Sequence, residues 1–392
     1  MTGLILAVPK ESMPIGNDKT ESRVALTPAD VNALKSLGFF REIRVDHQAG
    51  INAGFVGRQY KEAGAVTFCN DKDLFDGADM ILRVRRTSTD GSIEHEYISK
   101  LSPHTMVIGF IDPLTQSPVH LNDYAKQKLS SISYDLLPKI PETADMDVSA
   151  GMGKITGTIA INDAKDRLKS LHGKNVLIIG IGNAGLQCAI DAKQMGARVL
   201  AISGGNKHQS TLESHGIEFR MMPGDNNADQ KQFIIDIASG RNGQTQFAPN
   251  VVIAAARRIG IPAPQLLDAS TYAIMPGALI YDLAKSSGGN CANSDLNKDV
   301  KTNGVTLICR NGYPGLNPRL SSPEFSARAA KLVTALVDPR TPLATSMALT
   351  LSCAIADGTI NPNTGLKHPM VATPDAFMIA AARAIQNLRG RV

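Results

Sequence analysis

The sequence predicts an α/β protein of two Rossmann-like domains, each a parallel sheet with flanking helices, with a cleft between them. Three observations carry this. Short apolar runs of strand length alternate with stretches of helix length from residue 4 onward, the pattern of a parallel sheet crossed by helices. The run VLII (176–179) leads into Gly180-x-Gly182-x-x-Gly185, then the helix AGLQCAIDAKQMG, then a second strand, ARVLAIS. A length of 392 residues fits two domains at roughly 100–200 residues each.

LILAV (4–8) reads as a short buried strand. TPADVNALKSLG (27–38) reads as a helix, with Thr27 as cap, Pro28 in the first helical position and Gly38 as stop. REIRVD (41–46) alternates as a strand does, and the segments at 77–84 and 104–111 repeat the theme, so 1–140 forms one α/β unit. A glycine-containing helix is expected over 152–171. Strands follow at 250–256, 278–284 and 305–310. A long helix over 322–337 returns toward the first unit, and 338–392 reads as mostly helical. Within that tail the apolar tract 342–358 carries several hydroxyls and ends at Asp357, which predicts a buried helix rather than a membrane span.

Composition excludes several function classes. Trp is absent, aromatics are 5%, and the +5 net charge is dispersed, its densest cluster being Arg83-Val84-Arg85-Arg86. That distribution offers neither stacking platform nor phosphate track, so no nucleic-acid partner is expected. The five cysteines are scattered without a Cys-x-x-Cys pair, and the histidines do not cluster at ligand spacing. No metal site is expected, and a reducing cytosol fits best. MTGLILAVPKES has no basic leader followed by an apolar core, and no stretch approaches the ~20 apolar residues a span requires. The expected location is cytoplasmic.

The glycine turn is the strongest functional signal. Gly180 permits a tight turn, Gly182 lets backbone approach a pyrophosphate, and Gly185 lets helix and strand pack closely. Asn183 and Ala184 open the helix, whose first amides are unpaired and carry partial positive charge. A carboxylate that binds the adenosine ribose is expected about 20 residues past the first glycine; this chain has Ser203 there, followed by Gly204 and Gly205. The site then either prefers NADP(H), with Ser203, Asn206, Lys207 or His208 near the phosphate, or binds NAD(H) more weakly, or has lost the nucleotide. Lys207 and His208 read equally well as solvated loop residues. Ligands of such sheets sit beyond the carboxyl ends of the strands. Ala255, and the loop holding Asp282, Leu283, Gly288 and Gly289, are therefore candidates for the nicotinamide half. Arg85 ends a strand and can fork onto a substrate carboxylate or pair with Asp112. Arg23 can bind a carboxylate or a main-chain carbonyl.

VPKES…TESRVALTP (8–28), VLIIGIGNAGLQ (176–187), NVVIAAARRIGIPAPQLL (250–267) and ALIYDLAKSSGGNC (278–291) together resemble the family of alanine dehydrogenase and the NAD(H)-binding alpha subunit of NAD(P) transhydrogenase. The likeness runs over most of the chain and fades after about residue 340. DLAxxxGGNC and NGYPGLNPRLSS (311–322) lean toward the transhydrogenase side. The resemblance implies a discontinuous first domain, 1–141 plus 326–392, and a dinucleotide-binding domain, 142–325. It implies hydride transfer at a nicotinamide, a homodimer, and association with membrane and NADP-binding partner subunits at the inner face of a membrane. The family's hydride-transfer loop resembles Arg-Ala-Gln-x-x-Asp; here Glu142-Thr143-Ala144-Asp145-Met146-Asp147 stands in its place and only Asp147 is retained. The mobile-loop region, MMPGDNNADQKQF (221–233), has no tyrosine. Against alanine dehydrogenase, the strand-end lysine corresponds to Arg85 and the catalytic histidine to Asp112, while Arg23 and Asp282 are retained. The resemblance therefore leaves a stand-alone amino acid, oxo acid or opine dehydrogenase, and a non-catalytic nucleotide-binding protein, as alternatives.

Overall fold

A computed structural model describes the chain apart from residues 1–2, 12–13, 17–18, 87–91, 115–119, 225, 258–260 and 365–370, and apart from the side chains of 14–16, 19–20 and 92–93. The chain divides into two compact units, Met1–Met152 with Gly315–Val392, and Gly153–Pro314. Residues 142–152 and 315–325 thus go with the first unit.

The first unit opens with β1 (Leu4–Val8), every residue of which is buried. Helix α1 (Pro28–Ser36) follows; the Thr27 hydroxyl donates to Asp30 Oδ2 instead of capping an amide. Strands β2 (Phe40–Asp46), β3 (Val66–Phe68), β4 (Met80–Arg85), β5 (Met106–Phe110) and β6 (Ser130–Ser133) complete the parallel part, in the order β3-β2-β1-β4-β5-β6. Helix α2 (Val148–Leu168) starts four residues before the expected 152 because Asp147 Oδ1 accepts the Ala150 amide at 3.0 Å, supplying the N-terminal cap.

The second unit contains β7 (Asn175–Ile179), α3 (Asn183–Gln194), β8 (Arg198–Ser203), β9 (Glu218–Met221), α4 (Asn227–Ser239), β10 (Val251–Ala254), β11 (Leu279–Asp282), β12 (Asp299–Thr302) and β13 (Val305–Ile308). The order is β9-β8-β7-β10-β11-β13-β12, parallel except for the closing β12–β13 pair. Strand β7 shows why its sequence is continuously apolar. Val176 and Ile178 enter one core with Ala189 and Ala192 of α3; Leu177 and Ile179 enter the opposite core with Leu200, Ile234 and Ile237. Alternate residues face opposite sides, and both sides are covered.

The chain then returns to the first unit through α5 (Pro318–Val337), α6 (Leu343–Leu351), β14 (Cys353–Ala356), β15 (Thr359–Ile360) and α7 (Pro374–Arg389). The single helix expected over 342–358 is corrected here. Helix α6 stops at Leu351, and CAIA forms a strand antiparallel to β6, with Cys353 opposite Ile132, while β15 pairs on its other side as the edge. Asp357 and Gly358, both at positive φ, turn the chain into β15. A four-residue run buried on every side has no periodicity that separates strand from helix.

A fully buried charge pair lies in the first unit. Arg83 of β4 is 1% exposed, and its Nη1 and Nη2 donate to Glu94 at 3.1 and 3.3 Å. Arg83 Nε donates to the Arg85 carbonyl, its guanidinium lies 4.3 Å from the Tyr97 ring centre, and the Tyr124 hydroxyl donates to Glu94. Removing one partner strands the other charge in a dry interior. Glu94→Gln or Arg83→Met is each expected to lower stability by about 3–5 kcal/mol, with the double replacement Arg83→Met/Glu94→Leu closer to neutral. Urea unfolding of the three variants checks this; single changes without a shift in midpoint contradict the pairing.

Candidate functional site

Counting only the parallel strands and leaving out the antiparallel β12, the order β9-β8-β7-β10-β11-β13 numbers as 3-2-1-4-5-6, so the strand order reverses between β7 and β10. At the carboxyl ends of β7, β8 and β10 lies a groove of about 790 Å³. Its walls are Gly180, Gly182 and Asn183 of the glycine turn, the Ser203–Gly205 bend with Lys207 and His208, Met222 and Gln230, and the segments 255–257 and 261–264.

The three turn glycines differ in role. Gly180 has φ +89, and a Cβ there would lie 2.6 Å from Ala256 Cα. A Cβ at Gly185 would lie 2.0 Å from the Gly180 carbonyl oxygen, so α3 is seated directly on the end of β7. Gly182 has nothing within 4 Å in the corresponding direction, and it lines the groove. Internal packing thus accounts for two glycines and leaves the third bordering open space beside the first-turn amides of α3. That turn contains no acidic residue. Unpaired amides and the helix dipole there favour an anion. Ala184 and Gly185 lie on α3 behind the groove lining.

The Asp282 loop stands outside the residues that line this groove. Asp282 is 1% exposed, and its oxygens accept the Ala284, Asn290 and Cys291 amides at 3.1, 3.2 and 3.3 Å and the Ser294 hydroxyl at 2.8 Å. Its carboxylate is fully occupied in shaping residues 283–294, and neither it nor Leu283, Gly288 and Gly289 belongs to the groove lining. The residue that sequence reasoning missed is the fully buried Asn290. Its Oδ1 accepts the Ala256 amide at 2.9 Å, and its Nδ2 donates to the carbonyls of Ala256 and Pro264, both at 2.8 Å. One amide side chain satisfies both the backbone donor and the backbone acceptor of Ala256, which fixes the 255–264 wall. The signal was present as the Asn following Gly288-Gly289.

Ser203 ends β8 half-buried, with its hydroxyl 3.5 Å from the Gly205 amide that donates to it. Lys207 is exposed; burial first, then the Lys207 charge, hold His208 below the ordinary imidazole value.

The remaining candidates belong to the first unit, at the carboxyl end of its own sheet. Arg23 is buried and donates through Nε and Nη2 to Glu21 at 2.8 and 2.6 Å. Burial raises the Glu21 pKa, but Arg23 outweighs it and the net shift is downward. Arg85 reaches Asp112 at 3.9 Å, while Arg86 Nε holds the same carboxylate at 2.9 Å. The Asp112–Arg85 pair thus exists, with Arg86 the nearer cation. Asp147 binds Lys139 at 2.6 Å and caps α2. The 3-10 turn Pro141–Met146 is tied down by Asp145–Lys331 at 2.9 Å and by Arg328 donating to the Ala144 and Asp147 carbonyls. Glu142 is exposed on that turn.

Among the described residues no cluster of His, Cys, Asp or Glu could hold a metal ion, and no helix is long and apolar enough to cross a membrane.

A parallel sheet of order 3-2-1-4-5-6 with a glycine turn and helix start at its reversal point defines a Rossmann-like protein of the dinucleotide-binding class. Residues 7–156 match the family model "Alanine dehydrogenase/PNT, N-terminal domain", and residues 149–363 match "Alanine dehydrogenase/PNT, C-terminal domain". The chain belongs to the alanine dehydrogenase/PNT family, whose named members are oxidoreductases. It is 27% identical over 365 residues to a chain of Rhodospirillum rubrum named as one piece of NAD(P) transhydrogenase subunit alpha, covering 86% of this chain and 91% of that one. It is 23% identical over 307 residues to alanine dehydrogenase of Methanococcus maripaludis, covering 74% and 75%. A transhydrogenase structure from Sinorhizobium meliloti superposes with TM-score 0.77 at 24% identity, covering 91% of this chain and all of that one. An L-alanine dehydrogenase structure gives 0.72 at 21%, covering 98% and 100%. At those identities the two structures show the shared fold.

Two outcomes follow from this geometry. Gly185→Ala forces α3 off the end of β7 and is expected to cost about 1–3 kcal/mol, read as a lowered melting temperature. Glu11, buried beyond β1, accepts the Val84 amide at 2.6 Å. Burial, partly offset by Arg83, lifts it from an ordinary 4.5 to about 7. A carboxyl harder to ionise folded than unfolded binds more protons folded. Its stabilising share is complete below 4.5 and is lost as pH rises through about 7. Glu11→Gln keeps an acceptor for Val84 and is expected to flatten that part of the stability–pH curve. A variant whose stability falls over this window as the parent's does would contradict the assignment.

Proposed function

We propose that this chain is an NAD(P)-linked oxidoreductase of the transhydrogenase alpha type, with its second unit holding a nicotinamide dinucleotide. The observation that carries the reading is Gly182, open to the groove beside the first-turn amides of α3 at the sheet's reversal point. A side chain there would fill the cradle; without one, the Gly182–Ala184 backbone can close on a diphosphate. The bound dinucleotide would supply the hydride chemistry. The protein's own residues bind and orient: the α3 amides neutralise the diphosphate, Ser203 lies against the adenosine ribose, and the Asn290-braced wall at 255–264 shapes the remaining length. The R. rubrum relative is by name a piece of a larger subunit. By that analogy the second substrate arrives on a separate component, one that brings this chain, itself a homodimer, to the inner face of a membrane.

The second reading, a stand-alone dehydrogenase for an amino or oxo acid, has a basis in Arg85, whose Nε is buried without a hydrogen-bond partner. It needs a free cation for the substrate carboxylate. Arg23 is committed to Glu21, and Asp112 already faces Arg85 and Arg86. The transhydrogenase-type reading is therefore the better supported of the two.

Because the chain has no Trp, nicotinamide emission can be followed without tryptophan overlap. Titration of the purified chain with the reduced dinucleotides is expected to show saturable binding, and hydride exchange is expected once the partner component is added. Binding of neither NADH nor NADPH at millimolar concentration would sink the reading. Turnover of pyruvate with ammonium by the chain alone, lost in Arg85→Ala, would install the second one.

A further inference from the structure

Among the described residues, the groove wall beyond β8 carries no negative charge. Its described lining contains no Asp or Glu, and its ionisable side chains are Lys207, His208 and Arg257. A carboxylate at the end of this strand would accept the ribose hydroxyls and repel a phosphate on the 2′ oxygen. Ser203 does neither: it offers a neutral hydroxyl that donates or accepts. Lys207 and Arg257 are exposed, and no carboxylate among the described residues pairs with either. A ligand anion therefore displaces no internal partner. Gly204 and Gly205 leave open space, with nothing within 4 Å of where a Cβ would stand. Bulk, charge and hydrogen-bonding capacity at this end all suit one further phosphate group.

We propose that the groove selects the 2′-phosphorylated dinucleotide, NADP(H), over NAD(H), with the 2′-phosphate lying against the Ser203–His208 bend. This rests on the reading that the second unit binds a dinucleotide at all, and it narrows that reading to one member of the class. Selection comes from two sources. Lys207 attracts the added phosphate, and Ser203 leaves the ribose without the bidentate acceptor that favours a free 2′ hydroxyl.

The test is calorimetric titration of the full chain with NADPH and NADH at one fixed low ionic strength, followed by competition with adenosine 2′,5′-bisphosphate and 5′-AMP. The latter pair differ only in the 2′-phosphate. NADPH is expected to bind at least about tenfold more tightly, the equivalent of one or two charge-assisted hydrogen bonds. The bisphosphate is expected to compete better than 5′-AMP by a similar factor. Lys207→Ala is expected to narrow the NADPH-to-NADH ratio and Ser203→Asp to invert it, in proteins whose melting temperatures match the parent's. Equal or tighter binding of NADH by the parent chain overturns this inference and leaves the dinucleotide reading standing. Binding of neither cofactor overturns both. A Ser203→Asp variant that melts as the parent does but keeps the parent's ratio also overturns the inference.

Discussion

A hydrogen atom is all that fits between residue 185 and the carbonyl of Gly180, and the second unit is arranged around that contact. It fixes the first turn of α3 at the end of β7, where the strand order of the sheet turns back. Helix amides seated a methyl group's width further away would be separated from the groove floor. The positive φ at Gly180 and the close pass of Ala256 belong to the same constraint, because Ala256 directly follows the end of β10. Asn290 extends the arrangement sideways by bracing the 255–264 wall against the Asp282 loop. The anion-binding character proposed for the groove would thus be a property of backbone held in place by packing, with few charged side chains defining it.

The first unit has the same strand order at its centre and a different solution to charge. Where its sheet reverses, the acids and bases answer one another: Arg23 with Glu21, Arg85 and Arg86 with Asp112, and Glu11 on the amides of Val84 and Arg85. Asp135, lifted to about 6 by burial and by Asp112, accepts the Asp112 amide in the same cluster. A site whose ionisable groups are mutually satisfied is costly to open for a charged guest. The second unit's groove has the opposite arrangement, with cations exposed and no Asp or Glu in its described lining.

Much of this was legible in the residues, and the gaps have physical causes. Strands buried on both faces announce themselves as unbroken apolar runs, which is why LILAV and VLII pointed to parallel sheets. The glycine turn was legible from its spacing: Gly180 and Gly185 answer steric demands, and Gly182 borders open space. Two things were not. The switch from helix to strand after Leu351 lies in a tract with no polar face on either element, so no period distinguishes them. The inward commitment of Asp282 depends on a loop folding back eight to twelve residues to present its amides and the Ser294 hydroxyl, and spacing cannot reveal such a return. Asn290 was overlooked for a related reason: its worth lies in bridging Ala256 and Pro264, which are remote in sequence and adjacent only once the groove wall exists.

The late arrival of β14 has a consequence for synthesis. Strand β6 shows a bare edge of unpaired carbonyls and amides until Cys353–Ala356 emerges from the ribosome, with all of residues 153–314 translated in between. The intervening unit is one continuous stretch and can assemble while that edge waits. A nascent chain of this design carries a sticky, half-built sheet through most of its translation. Its exposure to aggregation is therefore set by elongation speed and chaperone shielding as much as by the stability of the finished molecule.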